Sequence, residues 1–183
     1  MMGTVRALVV LATVLAAGSA SAAPGVRVYT SANDSDTTEG DTVVDGDPAQ
    51  IYAVVLDYAR WTEVFPDVAK VIVTARNGVD AKVTLVKPDG NRDNLVFHNQ
   101  PQARMVYFED TGNSHATVWG EIVFAPGDRP GTTRVHTRLH ADVHGIASLV
   151  VSSGDVRRMR EERVERDLVH VRNYFHRVFT ASR

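Results

Sequence analysis

Cysteine is absent from the 183 residues. That excludes disulfides, thiolate catalysis, lipoprotein modification and cysteine-ligated metal. A domain without cross-links has to rest on its core. Several enzyme signatures are missing too: no nucleophile elbow, no phosphate loop and no dinucleotide fingerprint. Neither sign of charge dominates. The 20 Lys and Arg against 22 Asp and Glu leave a net charge of -2, so nothing global favours nucleic acid. No internal repeat is present. Beyond the first residues, no apolar run is long enough to cross a bilayer.

What is present begins with an export signal. Arg6 precedes the uncharged apolar run Ala7 to Ala17, and Gly18 and Ala20-Ser21-Ala22 follow. This is the layout of a secretory signal peptide, with cleavage expected after Ala22. A spanning helix would need about 20 apolar residues, and this run is shorter and ends in small ones. The expected organisation is a signal peptide over 1–22, a polar leader over 23–40 and one domain over 41–183, with a periplasmic or secreted destination. Ser31 to Glu39 reads SANDSDTTE and is expected as a surface loop or mobile leader. Val26 and Val28 alternate with polar residues and begin a first strand. A second is expected at Thr42 to Val44.

Asp47-Pro48 starts a helix, because Asp caps well and Pro suits the first helical position. Ile51, Val54, Val55 and Tyr58 recur at helical spacing. A short helix follows at Trp61 to Val64, ended by Pro66. From Val68 to Val143 the period is two. Strands are expected at Val71 to Ala75, Val79 to Leu85, around Leu95 and Phe97, at Met105 to Glu109 and from Ala116 to Phe124. Turns fall at Pro88-Asp89-Gly90, Thr111-Gly112-Asn113 and Pro126 to Gly131. In the last strand Val135, Thr137, Leu139, Ala141 and Val143 share one face. Arg134, His136, Arg138, His140, Asp142 and His144 share the other, the mark of an antiparallel sheet with one buried side.

The C-terminus is a long amphipathic helix capped by Ser152 with Asp155 three residues on. From Asp155 to Phe179 it spans about 37 Å at 1.5 Å per residue. A helix that long needs a large apolar surface, and the curved sheet is the surface available.

Specific residues sharpen this order. The segment Gly46 to Val68, GDPAQIYAVVLDYARWTEVFPDV, resembles the opening of the polyketide cyclase and coenzyme-Q-binding branch of the START-like superfamily. A helix begins just after an early strand and leads to an aspartate, an aromatic pair and a "wFPdV"-like turn. Gly120-Glu121-Ile122-Val123-Phe124 and Gly131-Thr132-Thr133-Arg134-Val135 are similar to that family's final hairpin. The resemblance covers Thr42 to Phe179. It implies an α+β helix-grip fold, with a curved antiparallel sheet wrapped around the terminal helix. It also implies an elongated cavity for a hydrophobic small molecule or lipid. Family members mostly bind sterols, lipids, quinones or polyketides, and a minority catalyse cyclisation or dehydration. One departure is the apolar, proline-free Gly145 to Val151, where many relatives carry a proline-containing loop before the helix.

Under that resemblance the cavity wall is expected from strand parity at Val83, Leu85, Leu95, Phe97, Val118, Ile122, Phe124, Val135 and Leu139. Thr137 is the expected polar group among them. Met159 and Val164 join from the helix. Trp61 and Phe65 either plug one end of the sheet or form the cavity mouth. The parity of Met105 to Glu109 stays open, since Met105 and Tyr107 compete with Val106 and Phe108. The segment Gly145 to Val151 is the expected lid, and transient membrane contact through Ile146 to Val151 is the alternative to a solvated face there.

Other clusters carry less. His136, His140 and His144 stand at four-residue steps, about 13 Å apart in a strand at 3.3 Å per residue. Zinc–histidine bonds are about 2 Å, so no metal is expected there, and the three are expected to be solvated. An enzyme needs an acid or base inside the pocket. His98, Asp110 or Asp93 qualifies only if strand parity turns it inward. Arg157, Arg158, Arg160, Arg163 and Arg166 make the helix start basic, but interleaved Glu161, Glu162, Glu165 and Asp167 point to a solvated, ion-paired face. The expectation is an exported binding protein without cofactor. The alternatives are a cyclase or dehydratase, or an interaction module with a filled core.

Overall fold

The computed structural model describes residues 25–180, apart from the Ile146 side chain. The expected signal peptide lies outside the described residues. Asp47 caps α1 (Pro48–Leu56) by accepting from the Ala49 N–H at 2.8 Å, with Pro48 at its start. A 3-10 turn at Tyr58–Arg60 leads into α2 (Trp61–Val64). Ser152 Oγ accepts from the Asp155 N–H at 3.1 Å and caps α3 (Ser153–Thr180), as the sequence predicts.

The strands are β1 (Val26–Thr30), β2 (Thr37–Asp45), β3 (Lys70–Asn77), β4 (Asp80–Val86), β5 (Arg92–Gln100), β6 (Met105–Asp110), β7 (Ala116–Pro126) and β8 (Thr132–Val143). They form one antiparallel sheet in the order β1-β2-β8-β7-β6-β5-β4-β3. A long helix against one curved sheet, with two short helices after the first strands, is the helix-grip arrangement.

The expected leader needs correction. β1 and the start of β2 belong to the sheet, and Thr37 and Thr38 are fully buried. Pairing with β8 recruits this polar stretch, because threonine is β-branched and tolerates a half-buried pleated surface. The loop is limited to the residues between Thr30 and Thr37.

α3 lies along β1, β2 and β8, and approaches no strand from β4 to β7 to a comparable extent. Gly40 makes the close approach possible. A Cβ there would stand 2.6 Å from Val164 and 2.7 Å from Leu168. α1 and α2 cover a different part of the same concave face. Tyr52 packs on Phe124, and Tyr58 and Trp61 both pack on Phe97. The Trp61 indole N–H donates to Val55 O at 2.8 Å, which satisfies the ring's polar edge inside the core.

Candidate functional site

Register decides which residues face the helix. Val83 pairs with Leu95, and Leu95 with Asp110. Val106 pairs with Ile122, and Ile122 with Thr137. Val106, Phe108 and Asp110 therefore point inward, which settles the parity of β6. Asp93 shares the inward face of β5 with Leu95 and Phe97. His98 faces outward, 3.0 Å from Asp80.

The expected wall residues divide into two groups. Trp61, Phe65, Val83, Leu85, Phe97, Phe124, Val135 and Val164 are buried and make up much of the core. Trp61 meets Phe65 and Phe97 edge to face, with ring centroids 5.3 and 5.1 Å away. Leu95, Val118, Ile122, Thr137, Leu139 and Met159 are only half-buried. So are Phe108, whose strand had an open parity, and Ala141, which shares the apolar face of β8 but is not among the expected wall residues. Phe108 lies over Gly120, where a Cβ would stand 2.5 Å from the ring. Thr137 Oγ1 donates to Glu121 O at 3.0 Å.

The half-buried set shares the inward face of β5 to β8 beside the sealed core, and it marks the candidate apolar groove, with Met159 half-buried on α3. Small-ligand sites are mostly apolar, with a few convergent polar groups. Here the polar groups are Asp93, Asp110 and Lys87. Lys87 Nζ is 3.0 Å from Asp93, and Asp110 accepts from the Gly112 N–H at 2.8 Å. Burial holds the Asp110 carboxyl above the usual carboxylate range. The Gly112 hydrogen bond opposes that rise, Asp93 adds to it and Lys87 subtracts. The segment Gly145–Leu149 turns as a 3-10 helix beside this end of the sheet. Leu149 at its end and Val150 after it are 83% and 63% exposed, the most open of the large apolar side chains among the described residues.

Two further expectations change. Arg160 is not part of a solvated face. It is 3% exposed, donating to Ser35 O at 2.7 Å and Ala141 O at 2.8 Å. Arg163 donates to Asp167 at 2.7 Å and lies 3.5 Å from Asp67. Arg157 and Arg158 do pair with Glu161 and Glu162 as expected. His136 and His140 are not simply solvated either. His136 sits 3.1 Å from Asp41. His140 sits 3.2 Å from Asp34 and stacks on Trp119 at 5.0 Å. Neighbouring strands supply partners that no single strand reveals. Among the described residues no group of three or more histidines and carboxylates is placed to hold a metal. A separate polar pocket of about 270 Å³ lies where β2 meets the end of α3, with Asp45, Arg129, Arg172 and His176 among its lining.

Comparison with solved structures supports the architecture. A START superfamily protein from Mycobacterium smegmatis is 13% identical with a TM-score of 0.64, over 78% of this chain and 98% of that one. The STAR-related lipid transfer protein from Xanthomonas axonopodis is 14% identical at 0.66, over 86% and 97%. The Zhui aromatase/cyclase from Streptomyces sp. R1128 is 16% identical at 0.61, over 82% and 91%. At these identities the likeness is one of fold. No curated protein sequence matches the chain. Residues 35–176 match the family described as "Polyketide cyclase / dehydrase and lipid transport", and with that match the chain, a START-like helix-grip protein, belongs to this family.

Proposed function

We propose that the protein binds a hydrophobic small molecule or lipid in the groove between β5–β8 and α3, as a carrier or sensor. The observation that carries this reading is the divided concave face. One part is sealed by α1, α2 and α3, while Leu95, Phe108, Val118, Ile122, Leu139 and Met159 remain half-open beside it. Leaving that much apolar surface wet is unfavourable, and a ligand covering it gains about 25 cal/mol per Å². The family description and the lipid-transfer and aromatase/cyclase neighbours support an apolar ligand.

Val118 offers the cleanest test. It faces the groove, pairs with Ala141, and lies outside the packed core. Val118→Trp should fill the groove while keeping the fold. Binding of N-phenyl-1-naphthylamine, followed by fluorescence, should weaken by at least about tenfold with little change in Tm. Full binding by a folded Val118→Trp protein would remove the groove as the site. A charge at Leu85, only 3% exposed, would test packing instead.

The filled-core alternative predicts no such binding. A cyclase or dehydratase would need a positioned acid, and Asp93 and Asp110 are the half-buried inward carboxyls of this face, with burial raising the pKa of Asp110. Export is part of the same proposal, supported by the sequence over 1–22. The intact mass of protein recovered from outside the cytoplasm should begin at Ala23. A full-length mass would refute cleavage.

A further inference from the structure

The ligand's polar end is also addressed by the groove, an inference that rests on the binding reading above. Two half-buried carboxylates share the inward face with the apolar floor. Asp110 is the register partner of Leu95, and Asp93 lies two residues before Leu95 on the same face. Val118 follows directly in β7, one step past the Glu109–Trp119 pair. A head group at this end of the floor therefore meets Asp93 and Asp110, while its tail lies over Leu95, Phe108 and Ile122.

The charges there do not cancel. Lys87, from the turn after β4, is 3.0 Å from Asp93 and offsets one carboxylate. Arg163 of α3 also acts on Asp93, but it is already held by Asp167 at 2.7 Å and Asp67 at 3.5 Å. Asp110 accepts from the Gly112 N–H at 2.8 Å. An ionised carboxylate has about four lone-pair sites and is acceptor-only, so acceptor capacity remains. The groove's polar end thus offers acceptors and one surplus negative charge.

We propose that Asp93 and Asp110 make the groove select amphipathic ligands whose polar end donates hydrogen bonds, amines first and alcohols second, over carboxylates of the same chain length. An ammonium gains charge-assisted hydrogen bonds, which are about twice as strong as neutral ones. A hydroxyl donates one bond without a charge cost. A carboxylate brings a third negative charge against two half-buried ones and has nothing to donate. The upward push that burial places on Asp110 is consistent with this, since a donor head would relieve it.

The test is displacement of bound N-phenyl-1-naphthylamine from the purified protein at neutral pH by decylamine, decanol and decanoate. Decylamine should displace the probe at a concentration on the order of tenfold below decanoate, with decanol between them. Asp110→Asn keeps side-chain volume and should bring the amine and carboxylate values together. Asp93→Asn, which leaves Lys87 unmatched, should move the preference toward decanoate and serves if the first variant does not fold. Decanoate binding as tightly as decylamine would overturn the inference, as would an unchanged order in both folded variants. A probe that never binds would sink the groove reading as well. A probe that binds with a flat order would sink the head-group selection alone.

Discussion

Gly40→Val is expected to destabilise the protein by about 3 kcal/mol, the upper end of the usual overpacking range. In a domain of this size that lowers Tm by about 10 °C. A Cβ at position 40 would stand 2.6 Å from Val164 Cγ1, 2.7 Å from Leu168 Cδ1 and 3.0 Å from the Arg27 carbonyl. The Arg27 oxygen belongs to the paired backbone of β1 and cannot retreat without breaking that pairing. Val164 and Leu168 are both 2% exposed, so they have no empty space to enter. The remaining movement is of α3 itself, away from β2. Because α3 flanks the proposed groove, ligand binding should weaken together with stability. Thermal unfolding of Gly40→Ala, alone and with Val164→Ala, checks the cause. The double variant should recover part of the loss if contact with Val164 is responsible. A Gly40→Val protein as stable as wild type would refute the close-approach account.

Arg160→Met is the second large effect, expected to cost about 3 kcal/mol from two charge-assisted hydrogen bonds and the carbonyls they leave behind. The guanidinium holds Ser35 O at 2.7 Å and Ala141 O at 2.8 Å, and lies 3.7 Å from Asp36. It thereby joins three elements: the β1–β2 loop, the end of β8 and the first half of α3. Methionine keeps an apolar stem of similar reach but donates nothing. The carbonyls of Ser35 and Ala141 would lose a partner in a part-buried setting. Amide exchange should report this locally, with Thr37 and Thr38 losing protection before the centre of β8. Arg160→Lys should recover only part of the loss, because an ammonium cannot fork between two carbonyls as a guanidinium does. A change below about 0.5 kcal/mol would mean that burying the cation costs as much as its hydrogen bonds return.

How much was legible in advance differed by region, for local reasons. The caps of α1 and α3 could be read because Asp47-Pro48 and Ser152 to Asp155 act within four residues of chain. β8 could be read because its two faces differ cleanly in polarity. β6 could not, since Met105, Val106, Tyr107 and Phe108 are all apolar and alternation has no contrast to display. Only its pairing with β5 and β7 showed that Val106 and Phe108 face inward. The polar run ending in Thr37 to Glu39 looked like a loop because its strand character comes from β8, about a hundred residues away.

The sequence by itself determined the element order, the caps and turns, the missing thiol and nucleotide chemistry, and a resemblance strong enough to name the fold. These rest on local steric and hydrogen-bonding rules and on hydrophobic period, which a chain carries at every point. Only tertiary structure decided which inward residues are sealed and which stay open. Val83 and Leu95 are register partners, yet one is 2% exposed and the other half-buried. The difference arises because α1 and α2 cover one part of the concave face and α3 lies along β1, β2 and β8. The same is true of Arg160, a surface arginine by pattern and a buried clamp by position, and of Asp93, Asp110 and Lys87. Strand pairing brings residues far apart in sequence to one end of one groove, and periodicity within a single strand holds no information about that.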